Sequence, residues 1–117
     1  MLSKGARLSK HQVEYVLSHG KRTSSRFFFA TISPSCGPLP EERAPRASKF
    51  AAVISKKVAP TAVERNSFRR RTYNAIRANL TSLARPLCIV VVVKKESKNI
   101  QYAALVEDMK SLLASAR

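Results

Sequence analysis

The run Leu87-Cys88-Ile89-Val90-Val91-Val92-Val93 contains only apolar residues, and five of its seven members are β-branched. Successive side chains of a strand point to opposite faces, so an unbroken apolar run needs cover on both. It is far short of the roughly 20 residues that cross a bilayer as a helix. The run is therefore predicted as a central strand, enclosed between other elements. A chain of 117 residues can build one such core and not two, and it is read as a single domain over 1–117 with no internal repeat.

The flanking sequence supplies the cover. Ser9-x-x-Gln12 has capping-box spacing, with Leu8 and Val13 placed as a hydrophobic staple. Val13, Val16 and Leu17 give a short apolar stripe, and Gly20 stops that helix at His19. Residues 26–33, with Phe27, Phe28 and Phe29, are predicted as a strand. Phe27 and Phe29 then share one face and Phe28 the other; one set is core, while the other packs under a helix or forms a stacking platform for bases. Residues 34–48 contain Pro34, Gly37, Pro38, Pro40 and Pro45, and are expected to be a mobile loop, the least structured part of the chain. A second strand covers 50–55, with a bend over Lys56-Lys57-Val58. Thr61-x-x-Glu64 opens a helix running to about Leu83 that buries Phe68, Thr72, Ala75, Ile76, Leu80 and Leu83, and Pro86 stops it. Tyr102, Leu105, Val106, Met109, Leu112 and Leu113 mark a closing amphipathic helix.

Cys36 sits in the proline-rich loop and Cys88 opens the apolar run, so they are expected to be lone thiols suited to a reducing cytosol. Residues 1–7 carry no apolar segment of the kind that directs secretion. A cytoplasmic protein with no membrane partner is expected.

Lys and Arg number 22 against 7 Asp and Glu, a net charge of +15. That charge repels itself in a compact state, and phosphate is the polyanion most able to offset it. The plainer alternative is a basic surface kept for solubility. The acids are Glu14, Glu41, Glu42, Glu64, Glu96, Glu107 and Asp108. Glu64 is a capping residue, Glu41 and Glu42 lie in the loop, and Glu107 and Asp108 diverge on a helix, so no two-metal carboxylate set can be assembled. His11 and His19 lack cysteine partners for a metal, and Gly5, Gly20 and Gly37 form no phosphate loop. Nothing marks a serine or cysteine nucleophile. No catalytic or metal-binding residue is assigned to the chain.

Residues 65–77 hold five arginines and no acid. At 100° per residue, Asn66, Arg69, Tyr73 and Arg77 share one sector, flanked by Arg70, while Arg71 projects elsewhere. Arg65 lies near the positive helix end, where cations and free N–H groups favour an anion. Arginine forks grip phosphate oxygens in pairs, and Tyr73 could stack on a base or cover the helix. Lys56 and Lys57 extend the positive surface or simply blunt a strand end.

In these features the chain resembles the protein subunit of bacterial ribonuclease P. Arg7-Leu8 before a short helix ending His19-Gly20, then Ser55-Lys56-Lys57-Val58, then Arg65-Asn66 with Arg69-Arg70 stand in the order and spacing of that family. The resemblance runs from about Arg7 to the C-terminus. Ser67 and Tyr73 replace family arginines, with Arg71 and Arg77 nearby, and Val13 and Leu17 stand near where the first helix usually carries aromatics.

The resemblance implies an α+β, single-domain αβββαβα sandwich, similar to a ribosomal-protein domain, with a left-handed βαβ crossover against the usual right-handed rule. Three strands are read above, so a further short one is expected within 34–48. It also implies that Ser55, Lys56, Lys57, Arg65, Asn66, Arg69, Arg70, Tyr73 and Arg77 bind the catalytic RNA subunit. Val13, Leu17, Arg26 and Phe28 would line a cleft for the 5′ leader of precursor tRNA. Mg²⁺ would be held mainly by the RNA, which cleaves the leader, and no protein partner would be required. A small ribosomal protein and a self-sufficient nuclease are the rival readings.

Overall fold

A computed structural model describes residues 7–43, 45, 47–79, 83, 86–98 and 100–114. The apolar run forms β4 (Cys88–Val93), an inner strand of a mixed sheet. It pairs antiparallel with β2 (Phe28–Ser33) and parallel with β3 (Lys49–Val53), and β1 (Lys21–Ser24) completes the order β1-β2-β4-β3. Ile89, Val91 and Val93 face a large core with Phe28, Ala30, Phe50 and Ala52. Cys88 and Val90 face a smaller cluster with Val16 and Ala51. Both faces of β4 are thus covered, and each fully buried valine or isoleucine contributes about 1.5–3 kcal/mol.

The first helix, α1 (Lys10–His19), closes the smaller cluster. On the opposite face lie α3 (Ala62–Ala78), which connects β3 to β4, and α4 (Tyr102–Ala114). Their buried residues include ones the spacing predicts, Phe68, Thr72, Ala75 and Ile76, then Leu105, Met109, Leu112 and Leu113, but Tyr73 is buried as well and Tyr102, expected on the apolar stripe of α4, is exposed. Adding a short α2 (Pro40–Arg43) gives α1-β1-β2-α2-β3-α3-β4-α4, the expected αβββαβα order plus one turn of helix.

The fourth strand lies at Lys21–Ser24, not within 34–48. Residues 26–33 are not one strand either, because the chain turns before Phe28. Asp108 of α4 fixes that turn: its carboxylate accepts from Ser25 Oγ (2.6 Å), Arg26 N (3.1 Å) and Phe27 N (2.8 Å). Phe27 consequently leaves the strand alternation and is buried with Phe28, while Phe29 stands 53% exposed on the other face.

Gly20 ends α1 in extended geometry, φ −84°. Glycine is needed there for close approach rather than for a left-handed cap. A Cβ would lie 2.7 Å from the Val16 carbonyl oxygen and 2.8 Å from that of Ile32. The α1 stripe buries Gln12 and Val16 but leaves Leu17 40% exposed.

Residues 34–43 carry more structure than their prolines suggest. Ser33 pairs with Cys88 in the β2–β4 register, so Cys36 emerges beside Cys88, and the two form a disulfide with Cα atoms 5.5 Å apart. The expectation of lone thiols is corrected accordingly. Cys36 N donates to the Glu42 carbonyl (2.7 Å), and Gln12 Nε2 donates to Glu42 Oε2 (2.7 Å).

Two other boundaries move. β3 ends at Val53, and α3 stops at Ala78 rather than near Leu83. Asn79 caps α3, its Nδ2 donating to the carbonyls of Ala75 (2.9 Å) and Val106 (3.0 Å). Leu80, expected on the buried face of α3, lies outside the described residues, as do 1–6, on which most of the expectation of no secretion signal rests.

Asp108 serves three donors at once, so Asp108→Ala should lower stability by about 2 kcal/mol, read as a shift of the urea midpoint. A shift no larger than that of the exposed control Lys110→Ala would refute the role given to this carboxylate.

Candidate nucleic-acid interface

Thr61 caps α3 by accepting from Glu64 N (3.2 Å), as the spacing predicts. This start fixes the rotation of the helix and sorts its arginines. Asn66, Arg69, Arg70 and Tyr73 line one open depression of about 150 Å³, with Arg69 Nη1 donating to Asn66 Oδ1 (2.9 Å). Arg70 and Arg77 are exposed. Arg65 Nη1 donates to the carbonyls of Ala59 and Pro60, both at 3.0 Å, so its charge is moored to the approach to the helix. Arg71 points away, its Nη2 donating to the Ile100 carbonyl (2.9 Å). That arginine ties α3 to the segment before α4.

Tyr73 is only 5% exposed, and its hydroxyl accepts from Ala52 N at 3.3 Å. The ring belongs to the core and floors the depression, so it is not free to stack on a base. Ser55 holds a turn, its carbonyl accepting from Val58 N (3.1 Å) and Ala59 N (3.0 Å), and Lys56 and Lys57 stand exposed on it.

A second concavity, of about 250 Å³, lies beside α1 on the sheet face opposite α3 and α4; Leu17, Arg22, Phe29, Thr31 and Val92 are among its walls. Strand register places Phe29, Val92 and Val53 in one row across the sheet. Lys94 Nζ stands 4.3 Å from the Phe29 ring centroid and donates to the Ser25 carbonyl (2.7 Å). An aromatic face with an ammonium beside it suits a ligand with flat bases and negative phosphates.

Of the four residues expected in this cleft, Leu17 lines it and Val13 packs half-buried against the smaller cluster. Phe28 is in the main core on the opposite face. Arg26 lies over the Phe27 ring at 5.3 Å, beside Glu107 and Asp108 of α4. Strand alternation could have pointed to Phe29 in place of Phe28. Arg22 was missed with the hairpin that carries it, and Lys94 follows the last residue of β4.

Among the described residues, no three His, Cys, Asp or Glu side chains come together as a metal site. No described helix is long and apolar enough to cross a membrane. Donation from Gln12 holds the Glu42 carboxyl below its ordinary value of 4.5, against burial, with help from the Leu39 backbone and from His11. His11 Nε2 lies 3.4 Å from Glu42 Oε2.

A protein-family model described as Ribonuclease P matches residues 2–117. The chain belongs to the ribonuclease P protein family. It is 37% identical over 70 residues to the ribonuclease P protein component of a Pseudanabaena species, covering 60% of each chain. Its identity to that of a Picosynechococcus species is 33% over 78 residues, 67% of this chain and 66% of the relative. The chain thus spans roughly three fifths to two thirds of these curated relatives. In fold it is similar to the RNase P protein of Thermotoga maritima, with TM-score 0.79, 18% identity and coverage of 95% and 97%. A Staphylococcus aureus RNase P protein gives TM-score 0.69 at 18% identity, covering 92% of both chains.

The lowered Glu42 value sets a pH dependence. Its contribution to stability is complete above the unfolded-state value and is lost as pH falls through the lower folded-state value. Glu42→Gln should therefore melt below the parent at pH 7, and the gap should close as pH drops below 4.5. A gap that stays constant down to acid unfolding would contradict this account.

Proposed function

We propose that this chain is the protein subunit of a bacterial ribonuclease P, assisting the catalytic RNA in removing the 5′ leader of precursor tRNA. The reading is carried by a basic depression on α3, at Asn66, Arg69 and Arg70, in a chain that matches the family over residues 2–117. In this reading Arg69, Arg70 and Arg77, with Lys56 and Lys57, contact phosphates of the RNA subunit as charged forks and point charges. Ser55 shapes the lysine turn, and Arg65 orients the helix start. The cleft beside α1 takes the unpaired leader, with a base on Phe29 and backbone phosphates near Arg22 and Lys94.

The chemistry assigned to this chain is binding and orientation. Phosphodiester hydrolysis belongs to the RNA subunit with Mg²⁺ held mainly by that RNA, and the work is done in the bacterial cytoplasm. Placing a flexible leader lowers the entropy cost of reaching the cleavage geometry. Neutralising phosphates on both RNAs lowers the Mg²⁺ needed for assembly.

Reconstitution with the cognate RNA subunit at low Mg²⁺ tests the proposal: adding the chain should accelerate leader cleavage, and an unchanged rate sinks it. If roughly six to ten phosphates are contacted, affinity should fall about 10³–10⁵-fold between 50 and 200 mM salt. Arg69→Ala with Arg70→Ala should weaken RNA-subunit binding more than Lys110→Ala on α4; equal losses would leave only diffuse charge. A small ribosomal protein, the rival reading, would instead co-sediment stoichiometrically with ribosomal subunits.

A further inference from the structure

We propose that the Cys36–Cys88 disulfide is a reversible clamp whose reduction releases the 35–43 segment and loosens the α1 wall of the cleft. Residues 35–43 form a closed strap. Its bonds are largely internal: Cys36 N to the Glu42 carbonyl (2.7 Å), Ser35 Oγ to the Arg43 carbonyl (2.7 Å) and Arg43 Nε to the Pro38 carbonyl (3.1 Å). Among the described residues it is joined to the layers around it by the disulfide to β4, by Glu42 to Gln12 and His11 on α1, and at its start by Ser33 Oγ of β2, which donates to the Ser35 carbonyl (2.7 Å) and accepts from Ser35 N (3.2 Å). Cys36 is 1% and Cys88 0% exposed, in the smaller cluster with Val16. Leu17, the next residue along α1, lines the cleft.

The main core lies on the other face of the sheet and contains no cysteine. Breaking the bond therefore removes cover from one side of β4 while leaving α3 and α4 seated. The reductant is a dithiol. Local opening of the strap exposes Cys36 Sγ, one thiolate attacks it, and a mixed disulfide forms as Cys88 leaves and takes a proton. The second thiol then displaces Cys36. Two electrons and two protons pass to the protein, and the reductant becomes its own disulfide. Disulfides inside reducing compartments are characteristically of this transient kind.

The consequence for RNA rests on the leader-binding role proposed above, so the test has a readout free of RNA. Hydrogen exchange is followed on the full chain after air oxidation, after reduction with dithiothreitol and after reoxidation, with alkylation counting thiols. Reduction should yield two alkylatable thiols and speed exchange in 35–43 and Lys10–His19 on the order of tenfold, with Ala62–Ala78 and Tyr102–Ala114 unchanged. Reoxidation should reverse this, and Cys36→Ser should match the reduced pattern. Two free thiols after oxidation, unchanged exchange on reduction, or loss of protection throughout the chain would each overturn the clamp. Affinity for a single-stranded RNA oligonucleotide should fall on reduction. Equal affinity in both states overturns the coupling to the cleft, whereas no binding in either state, with the exchange result intact, counts against the leader-binding role alone.

Discussion

Burial of β4 on both faces is the constraint from which the rest of the architecture follows. An inner strand of apolar side chains needs a neighbour on each edge and a layer on each face. The chain meets the first need with β2 antiparallel and β3 parallel. Parallel pairing demands a crossover long enough to return to the start of the next strand. That crossover is α3, so the most arginine-rich segment of the protein is also one the sheet cannot do without. Its apolar side is fixed on the core by Phe68, Ala75 and Ile76, and its basic side is presented outward as a result.

The same geometry explains why the arginines of α3 are not equivalent. β3 is an edge strand, and its unpaired groups need partners. Leu8 N donates to the Phe50 carbonyl (2.8 Å), and the Tyr73 hydroxyl accepts from Ala52 N. A tyrosine therefore sits in the arginine sector because the sheet edge uses its hydroxyl. Arg65 and Arg71 are likewise committed to backbone carbonyls. Charge counting treats five arginines alike, whereas the fold leaves Arg69, Arg70 and Arg77 with the weakest structural claims.

What could be read from sequence was what local chemistry decides. The capping box at Ser9, the side-chain cap at Thr61, the period of α3 and α4, and the unbroken run of β4 each act within a few residues. The β1–β2 hairpin was not legible because its turn is held by Asp108, more than 80 residues away in sequence. The disulfide was hidden for a related reason: Cys36 meets Cys88 only once β2 and β4 are in register. Phe27 leaves the strand at that turn, whereas the alternation from Phe28 onward, which sets Phe29 toward the cleft, is a local signal.

The cleft itself follows from the length of one helix. The ten residues of α1 span about 15 Å. They cover the end of the sheet face around Cys88 and Val90, and close approach of Gly20 to β2 then turns the chain away. In the next row Val92 is half-buried against the smaller cluster, whereas Phe29 and Val53 at its two ends stay exposed. A partly exposed apolar row would be a liability on most proteins. Here Lys94 stands over Phe29 and Arg22 lies at the margin, so the row offers a flat face with cations beside it. A longer α1 would have buried Phe29 and made the sheet complete, and it would have removed the surface best matched to an unpaired, negatively charged strand.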